Sequence, residues 1–378
     1  MTLFHVIGSL DPAMGGLPRA VVALASAQAR SGLNVVIGSP GPHPSKETLT
    51  QWTVGTVLPE NVRFETLPRN YGMRRSGALE TQLEKAGIDW LQVHGCWELE
   101  LHAAMRWAVA NDVPYGITPH SMLHPWHQSH HRILKWILKK AFGVQQLWKK
   151  AHAIQVLTTE EHSHWEQELG TVETLHVIPN GIDPQMDPGD SGQKHEFLPD
   201  SPFLLFLGRL APQKNPQLLL DAFLYLADRY PELHVVFAGP DYGEEKALRN
   251  KARAAGVQDR VHFPGMIQGQ VKWDAYHRCG AFCLPSNAEG FSLALLEACL
   301  AKAPCFISNE CGFPELVEAE GAGLIPETGK AFAECLEPIL QNPEMAKGMG
   351  NHAHQLVTSD YSWEKIVGQF NQMIAGTM

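Results

Sequence analysis

Residues 3–37 are LFHVIGSLDPAMGGLPRAVVALASAQARSGLNVVI, and they carry the clearest indication of the fold. A short apolar run, Leu3 to Ile7, leads through a glycine-containing turn into an apolar-periodic stretch from Leu17 to Arg30. A second apolar run, Asn34 to Ile37, follows after a short gap. A strand, a turn, a helix and a strand in this order predict one βαβ unit of a parallel sheet.

The same alternation of apolar runs and periodic stretches repeats along the chain in two series. The first series has further predicted strands and helices at 90–93, 98–110, 115–118, 153–157, 159–169 and 176–178. The second has them at 203–207, 216–229, 234–238, 244–255, 281–284, 292–301 and 305–308. Such repetition is typical of doubly wound domains, so the predicted fold class is α/β with two Rossmann-like domains.

A segment rich in proline, glycine, aspartate and serine separates the two series. Residues 180–202, NGIDPQMDPGDSGQKHEFLPDSP, show no periodicity, and this composition predicts an exposed linker. The predicted boundaries are an N-terminal domain at 1–185, a linker at 186–200, a C-terminal domain at 201–360 and a closing helix at 361–378. Residues 363–374 are amphipathic, and the closing helix is expected to pack back toward the N-terminal domain.

Length and composition favour a globular protein with two domains of roughly 150–200 residues each. Of the 378 residues, 44% are hydrophobic and 19% are charged, and the net charge of −10 opposes a nucleic-acid partner. The seven cysteines are dispersed, the start MTLFHVIGS lacks signal-peptide features, and no apolar stretch is long enough to span a membrane. We therefore expect reduced thiols and a cytoplasmic protein, which at most lies on a membrane surface.

The first candidate binding feature is the glycine pair Gly15-Gly16, in the turn between the first predicted strand and helix. Glycine lets the backbone approach a ligand closely, and a helix N-terminus favours an anionic phosphate. The spacing is not the G-x-G-x-x-G of dinucleotide-binding folds. A purely structural tight turn is an equal alternative.

The second candidate is a pair of cations after the predicted strand at 203–207. Arg209 comes directly after the run FLLFLG, and Lys214 precedes the helix that begins near Pro216. Two cations at one strand end would neutralise a diphosphate and stabilise a departing nucleotide. The alternative is that both are solvated surface cations.

The third candidate is the stretch PSNAEGFSLALLEA, residues 285–298, which contains Glu289 and Glu297. Glu297 lies among apolar residues of a predicted helix, so its carboxylate is costly to bury without hydrogen-bonding partners. Sugar hydroxyls or a cluster of backbone amides would supply them. The backbone N–H groups of Phe291, Ser292 and Leu293 open this helix and are placed to receive a phosphate.

These residues resemble those of the retaining glycosyltransferases of family 4, also called glycosyl transferases group 1. Glu289 and Glu297 are similar to the paired-glutamate motif of that family, and GRLAPQKNP is similar to its Gly-Arg…Lys segment. Other stretches that resemble its landmarks are VIPNGID, FAGPD, FPGMI, SDYSWEKIVGQF and the opening GG…VVALASAQARSGLNV. The resemblance spans essentially the whole chain and is strongest from Ile178 to Val317.

The resemblance implies the GT-B fold, in which two Rossmann-like domains face each other across a cleft. It implies retaining transfer of a sugar from a nucleotide-diphosphate sugar to a hydroxyl acceptor, with no metal ion and no other cofactor. The C-terminal domain would bind the donor, and the N-terminal domain would lie on the acceptor side. The acceptor would be a glycan or a lipid-linked sugar, in polysaccharide or lipid-linked glycan assembly.

The resemblance also implies roles for individual residues. Arg209 and Lys214 would hold the diphosphate, and Glu297 would hold the ribose hydroxyls. Glu289 would lie near the transferred sugar, and His120, in ITPHSML, would lie beside the donor sugar. The expected catalytic residues are His120, Glu289, Arg209 and Lys214. The other expected donor contacts are Gly15, Gly16, Gly265, Met266, Phe291, Ser292 and Leu293.

Two positions depart from the family pattern. Ser292 stands where the family often carries glycine after phenylalanine, and we expect little consequence because the residue is still small. The stretch NECGFPE, residues 309–315, matches the family's Gly-Gly-x-Pro-Glu turn only loosely. A donor-sugar contact at this turn is therefore in doubt.

A basic and aromatic segment follows His120. From Val113 to Thr159 the sequence has no aspartate or glutamate, although the protein is acidic. Residues 132–150 carry cations at helical spacing among apolar residues, which suits the surface of an anionic membrane. The alternative is a solvated helix that packs its apolar stripe on the N-terminal domain. The cations are Arg132, Lys135, Lys139, Lys140, Lys149 and Lys150.

Five histidines, at positions 120, 124, 127, 130 and 131, suggest a zinc site. No cysteine or carboxylate lies near them in the sequence, and structural zinc normally has four ligands. We therefore expect no metal, and we interpret His120 as a polar contact or proton partner. Acceptor specificity is expected to depend on the loops 69–76 and 120–131.

Two other functions are compatible with the motifs. A nucleotide-sugar epimerase of the same shape would bind the same donor and turn over without an acceptor. A non-catalytic scaffold protein would bind no nucleotide. The presence of both glutamates together with Arg209, Lys214 and His120 argues against the scaffold.

Overall fold

The computed structural model describes residues 1–45, 48–49, 52, 58–68, 77–129, 132–171 and 173–377. It divides the chain into two compact units. The first unit comprises Met1–Gly181 together with Trp363–Met378, and the second comprises Ile182–Ser362. The first unit is therefore assembled from two separate stretches of chain, whereas the second is one continuous stretch.

The first unit is built on a parallel sheet of seven strands. The strands are β1 (Thr2–Ile7), β2 (Asn34–Pro40), β3 (Val62–Leu67), β4 (Trp90–His94), β5 (Tyr115–Thr118), β6 (Ala153–Val156) and β7 (Leu175–Val177). The helices are α1 (Gly16–Arg30), α2 (Gly77–Lys85), α3 (Leu99–Ala110), α4 (Pro125–Ser129), α5 (Arg132–Ala141), α6 (Val144–Lys149), α7 (Thr159–Leu169) and the closing helix (Trp363–Thr377). The strand order is β3-β2-β1-β4-β5-β6-β7.

Helices cover both faces of this sheet, which explains why its strands are nearly continuous apolar runs. On one face, Leu3 and Trp90 pack with Trp363, Ile366 and other apolar residues of the closing helix. On the opposite face, Phe4 belongs to a separate cluster with residues of α3. Successive residues of β1 thus serve two different hydrophobic clusters, as the pleat of a strand requires.

The second unit is built on a parallel sheet of six strands. The strands are β8 (Phe203–Leu207), β9 (His234–Ala238), β10 (Val261–Gly265), β11 (Ala281–Leu284), β12 (Cys305–Ile307) and β13 (Ala322–Leu324). The helices are α8 (Pro216–Leu226), α9 (Glu245–Ala254), α10 (Gln270–Arg278), α11 (Leu293–Leu300), α12 (Pro314–Glu318), α13 (Gly329–Gln341) and α14 (Pro343–Asp360). The strand order is β10-β9-β8-β11-β12-β13.

Residues 186–200, which the sequence presents as a linker, belong to the second unit. The backbone N–H of Ser191 donates to the carboxylate of Asp274 at 2.8 Å, and Arg278 donates from its Nη1 to the carbonyl of Gln193 at 2.7 Å. Both Asp274 and Arg278 lie on α10. The segment has no helix or strand longer than one turn. Polar side chains hold its backbone on the surface of this unit.

The basic segment at 132–150 is two helices instead of the single helix that the sequence suggested. Gly143 has a φ of 64° between α5 and α6, and this left-handed conformation ends one helix before the next begins. Strands β3, β10 and β13 were not predicted, because polar, proline or glycine residues interrupt their apolar residues. Among the described residues, no helix is long and apolar enough to cross a membrane.

All seven cysteines are free thiols, and every one except Cys335 is buried. Burial raises the pKa of the Cys96, Cys283 and Cys305 thiols well above the ordinary value. Neutral buried thiols behave as small apolar side chains. The cysteines therefore contribute to the two cores as packing residues.

Candidate active site

The sheet of the second unit has one point at which the strand order reverses, between β8 and β11. From β8 the chain continues outward to β9 and β10, and then returns to place β11 on the other side of β8. In open parallel sheets, ligands bind beyond the carboxyl ends of the strands at such a switch point. The loops that follow β8 and β11 therefore define the candidate site of this unit.

Arg209 lies in the loop that follows β8. Its guanidinium carbon is 5.6 Å from the ring centroid of Tyr242, which is a cation–π contact at the outer end of the range. Among the residues that the structure describes, no carboxylate forms an ion pair with Arg209. The guanidinium group is therefore available to bind an anion such as a phosphate.

The loop that carries Arg209 approaches the neighbouring strand end closely, at Gly239. Gly239 has a φ of 144°, and an added Cβ would lie 1.9 Å from the carbonyl oxygen of Gly208. The N–H of Gly208 donates to the carbonyl of Ala238 at 2.9 Å. Any side chain at position 239 would push the Arg209 loop out of place, which explains the glycine in FAGPD.

Lys214 and Glu289 connect the two loops. Lys214 lies in the loop after β8 and donates from its Nζ to Oε2 of Glu289, which lies in the loop after β11. Ser286 donates from its Oγ to the same oxygen at 3.0 Å, and the N–H of Asn287 donates to the carbonyl of Gln213 at 2.8 Å. Lys214 is therefore a largely buried, paired cation, and the alternative of a solvated surface cation is wrong for this residue.

Helix α11 begins at the same edge of the sheet. Ser292 is its N-cap, and the Ser292 hydroxyl accepts a hydrogen bond from the N–H of Leu295 at 3.3 Å. The first backbone N–H groups of an α-helix have no acceptor within the helix, and here they include the N–H of Leu293. The positive end of this helix therefore lies beside the loop of Glu289 and is suited to an anion.

The side chain of Phe291 packs away from this helix start. Its ring centroid is 4.6 Å from that of Phe313 and 6.0 Å from that of Tyr361. Tyr361 also donates its hydroxyl to Glu315, the last residue of the loosely matching turn at 309–315. The Phe291 ring is therefore part of an aromatic cluster, and the Glu315 carboxylate already has a protein partner.

Glu297 is buried within α11, and its partners come from α10. Lys272 donates from its Nζ to Oε1 of Glu297 at 2.7 Å, and the Tyr276 hydroxyl donates to Oε2 at 3.2 Å. The sequence led us to expect sugar hydroxyls or backbone amides as the partners of this carboxylate. The structure provides a lysine and a tyrosine side chain from a neighbouring helix, which explains how this charge is buried.

Sequence reasoning missed Lys272 and Tyr276, although they carry a signal. The two residues are four positions apart, so they lie on one face of a helix. A lysine at such spacing, nine residues before a strand, is unremarkable without knowledge that its helix covers Glu297. The pairing is a tertiary contact that only the packing of α10 on α11 creates.

Gly265 and Met266 lie at the carboxyl end of β10, two strands away from β8. Gly265 has a φ of 72°, and its carbonyl accepts a hydrogen bond from the N–H of Gly239 at 2.7 Å. The Met266 side chain is half exposed. These residues lie on the same edge of the sheet as Arg209, in a turn that favours glycine.

In the first unit the strand order reverses between β1 and β4, and Gly15 and Gly16 follow β1. Gly15 is the N-cap of α1 with a φ of 83°, and no atom lies within 4 Å of a Cβ added to it. The open space shows that packing does not exclude a side chain there, whereas the positive φ favours glycine. The turn thus has a structural reason for Gly15, and the ligand interpretation stays a prediction.

His120 lies just after β5, in an unusual backbone conformation. His120 and Ser121 have φ values of 53° and 60°, which non-glycine residues rarely adopt. The buried carboxylate of Glu161 holds this turn, because it accepts hydrogen bonds from the N–H groups of Ser121 and Leu157. Burial raises the pKa of Glu161 to about 7, although both hydrogen bonds act in the opposite direction.

His120 is part of a buried row of histidines that sequence reasoning missed. Its Nε2 lies 3.0 Å from Nδ1 of His94, and Nε2 of His94 lies 2.8 Å from Nδ1 of His5. His5 and His94 interrupt apolar strand sequences, LFHVI and WLQVH. A titratable residue within a buried strand is uncommon, and that is the signal that was available.

Among the described histidines of the segment, His124 and His127 contact each other, with ring centroids 6.3 Å apart. His124 lies 3.5 Å from a carboxylate oxygen of Glu160, and this contact lowers the pKa of Glu160. His130 and His131 lie outside the described residues, as does the loop 69–76 to which we assigned acceptor specificity.

Two family models match the chain in succession. Residues 14–186 match the model described as Glycosyltransferase Family 4, and residues 190–356 match Glycosyl transferases group 1. The chain belongs to this glycosyltransferase family. Its enzyme class is therefore that of a glycosyltransferase, as the motifs predicted.

Full-length relatives of this glycosyltransferase are known. Glycogen synthase of Mycobacterium tuberculosis is 28% identical over 93% of this chain and 89% of its own length. The 2-deoxystreptamine N-acetyl-D-glucosaminyltransferase of Niallia circulans is 23% identical over 92% and 94%. Both names describe sugar transfer, but to different acceptors, so family membership leaves the substrates open.

Solved structures confirm the GT-B fold of this glycosyltransferase. Sucrose-phosphate synthase from Thermosynechococcus elongatus superposes with a TM-score of 0.78 at 19% identity, covering 100% of this chain and 98% of its own. HepE from Anabaena, solved in complex with UDP and glucose, superposes with a TM-score of 0.77 at 19% identity over 100% of both chains. At such identities the similarity establishes the fold alone.

Proposed function

We propose that this glycosyltransferase moves a sugar from a nucleotide-diphosphate sugar to a hydroxyl acceptor with retention of anomeric configuration. The observation that carries the proposal is the convergence of positive charge at the switch point of the second unit. Arg209, Lys214 and the N-terminus of α11 all lie beyond the carboxyl ends of β8 and β11. A diphosphate is the ligand that this arrangement favours.

Structures of a relative of the same fold support a nucleotide-sugar donor. HepE from Anabaena has been solved with UDP and with UDP-glucose, and it covers the whole of this chain. In the proposal, the Arg209 guanidinium and the α11 amides bind the diphosphate. Lys214 lies between the diphosphate and Glu289, and it neutralises charge that develops on the leaving group.

Glu289 and Glu297 take the two remaining parts of the donor. Glu289, which is held by Lys214 and Ser286, is proposed to face the transferred sugar. Glu297 is proposed to bind the ribose hydroxyls alongside its contacts with Lys272 and Tyr276. Gly265 and Met266 would then contact the base, and Gly15 and Gly16 would approach the phosphates from the first unit.

The reaction needs no metal ion in this proposal, because Arg209, Lys214 and the helix N-terminus supply the positive charge. The acceptor oxygen forms a bond to the anomeric carbon as the bond to the diphosphate oxygen breaks. The proton of the acceptor hydroxyl passes to a phosphate oxygen of the leaving group. His120 is proposed to hydrogen-bond a hydroxyl of the donor sugar.

We expect one nucleotide sugar among UDP-, GDP- and ADP-sugars to raise the melting temperature of the protein, because a ligand that binds only the folded state stabilises it. The measurement is a thermal-shift titration with and without EDTA, followed by assay of nucleotide release with glycan or lipid-linked acceptors. Nucleotide release should depend on the acceptor and should survive EDTA. Turnover without acceptor would indicate an epimerase, and no shift with any nucleotide would overturn the transferase proposal.

We also propose that the acceptor is presented at an anionic membrane and that α5 docks there. Ile133, Leu134 and Trp136 are 78%, 55% and 61% exposed, which is uncommon for three large apolar residues within four positions. Arg132 and Lys140 on the same helix are exposed as well. Exposed apolar residues flanked by cations, in a protein with net charge −10, complement an anionic lipid surface.

We define the proposed docking surface as Arg132, Ile133, Leu134, Trp136 and Lys140. Other residues of the same segment face the domain. Lys139 pairs with Glu168 and lies 5.6 Å from the ring centroid of Trp97. Leu138 and Trp148 are buried. One face of the segment therefore packs on the domain, and the membrane contact of the exposed face stays a prediction.

Replacing Ile133, Leu134 and Trp136 together by asparagine should reduce binding to vesicles that contain phosphatidylglycerol by at least about 10-fold, since a fully buried large apolar side chain contributes about 1.5–3 kcal/mol. Co-sedimentation with such vesicles, and with pure phosphatidylcholine vesicles, measures this. Tyr225→Asn is the matched control, because Tyr225 is an exposed aromatic residue of the second unit. Equal binding of the triple variant, or no binding of the wild type, would show that α5 is not the docking element.

A further inference from the structure

A continuous chain of hydrogen bonds runs through the interior of the first unit and ends at His120. It begins at Gln28 on α1, whose Oε1 lies 2.8 Å from Nε2 of His5 on β1. It continues from His5 Nδ1 to His94 Nε2 at 2.8 Å, and from His94 Nδ1 to His120 Nε2 at 3.0 Å. Gln28, His5 and His94 are fully buried.

The three imidazoles of this chain are neutral at ordinary pH. Burial lowers the pKa of His5 to about 4 and that of His120 to about 3, and it holds the pKa of His94 well below its usual range. A neutral imidazole has one N–H donor and one acceptor nitrogen. When such rings are joined nitrogen to nitrogen, the tautomer of the first ring therefore dictates the tautomer of every following ring.

The Gln28 oxygen sets the direction of the chain. An amide oxygen only accepts, so Nε2 of His5 carries the proton and Nδ1 of His5 accepts from His94 Nε2–H. By the same step, Nδ1 of His94 accepts from His120 Nε2–H. The Nδ1 atom of His120 is then left without a proton.

We propose that Gln28, acting through His5 and His94, is a positioning residue that holds His120 in the Nε2–H tautomer, so that His120 Nδ1 accepts a hydrogen bond from a sugar hydroxyl. This inference rests on the proposed role of His120 beside the donor. It adds a residue on α1, three hydrogen bonds away from His120, to the determinants of that contact. A sugar hydroxyl that donates to Nδ1 is favoured, and a ligand group that offers only an acceptor is disfavoured.

Two further features indicate that the chain is built for orientation as well as packing. The Gln28 side-chain amide nitrogen is buried, and no described residue accepts a hydrogen bond from it. An unsatisfied buried donor destabilises the fold, and an apolar residue at position 28 would avoid this loss. The strained backbone of His120 is meanwhile held by the contact between Glu161 and Ser121, so the last ring has a fixed position.

The tautomer can be measured without any ligand. Nitrogen-15 NMR of protein labelled at histidine distinguishes a protonated ring nitrogen from an unprotonated one, and loss of one signal set in His120→Asn assigns His120. We expect a protonated Nε2 and an unprotonated Nδ1 at neutral pH. A protonated Nδ1 in the wild type would overturn the proposal.

Gln28→Met removes the terminal acceptor with little change in shape and should shift His120 to a mixture of the two tautomers. Gln28→Glu keeps an oxygen at this position and should retain the Nε2–H form. Ser26→Ala is the matched control, because Ser26 is a buried polar residue of the same helix that donates to the Val22 carbonyl. An unchanged His120 tautomer in a folded Gln28→Met protein would overturn the role of Gln28.

Kinetics then separate this inference from the proposed function. With a donor that supports transfer, Gln28→Met should lower kcat by at least about 10-fold and change the donor KM by less than about twofold, because loss of the correct tautomer slows a reaction without removing binding groups. Gln28→Glu should restore kcat. If the tautomer shifts but kcat does not change, the positioning role stands and the proposed contact of His120 with the donor fails.

Discussion

Replacing Arg209 by alanine is expected to lower the rate of sugar transfer by about 10²- to 10³-fold, the usual effect of removing one donor that stabilises charge in the transition state. The guanidinium group lies beyond the carboxyl end of β8 and has no ion-pair partner among the described residues. The substitution should therefore cost less than about 1 kcal/mol of folding free energy, since only a contact with Tyr242 is lost.

The measurements for Arg209→Ala are steady-state kinetics and urea unfolding. Arg249→Ala is the matched control, because Arg249 also stacks on an aromatic ring, with its guanidinium carbon 4.3 Å from the Phe263 ring centroid. Arg249 is exposed and pairs with Glu245 on the same helix. If both arginine variants keep wild-type kinetics, the diphosphate does not bind at Arg209 and the proposed donor site is wrong.

Replacing Glu297 by alanine is expected to destabilise the second unit by about 3–5 kcal/mol, the usual cost of breaking a buried ion pair. Lys272 and Glu297 are both almost completely buried, and their atoms are 2.7 Å apart. The variant would leave the Lys272 ammonium group in the interior without the carboxylate it contacts. We expect a lower urea midpoint with an unchanged slope.

Two further variants serve as controls for Glu297→Ala. Glu334→Ala removes an exposed glutamate whose partner Lys330 is 4.0 Å away, and it should change stability by less than about 0.5 kcal/mol. The double variant Lys272→Met, Glu297→Leu should recover most of the lost stability, because no buried charge remains. A loss below about 1 kcal/mol in Glu297→Ala would mean that the ion pair is worth far less than a buried pair should be.

The two predictions together change how the donor site should be tested. Glu297 is a donor contact by resemblance and a structural carboxylate by its contacts, so a variant at this position affects folding and binding at once. Arg209 separates the two effects because it contributes little to the fold. Loss of donor binding in Arg209→Ala is therefore the cleaner evidence for the site.

The sequence predicted the fold well where strands and helices carry strong apolar patterns. Strand β8 and helix α7 occupy the predicted residues, and most other predicted elements differ by a few residues at their ends. The three missed strands are edge strands, and polar, proline or glycine residues interrupt the apolar residues of each.

The candidate site was predicted in its parts but not in its contacts. Motif positions indicated Arg209, Lys214 and Glu289, and the structure shows how β8 and β11 bring the last two together. The partners of Glu297 and the histidine row could not be predicted, because residues far apart in sequence meet there. His5 and His94 are 89 positions apart, and only the pairing of β1 with β4 makes them neighbours.

The position of the closing helix in the sequence affects the order in which the two units can fold during synthesis. A ribosome releases the chain from its N-terminus, so the strands of the first unit emerge long before residues 363–377, which follow the whole of the second unit. Until then, Leu3 and Trp90 lack the apolar cover that Ile366 and Phe370 provide. The second unit can reach its native state during synthesis. The first unit is completed last, and it is the one that would need a chaperone in the interval.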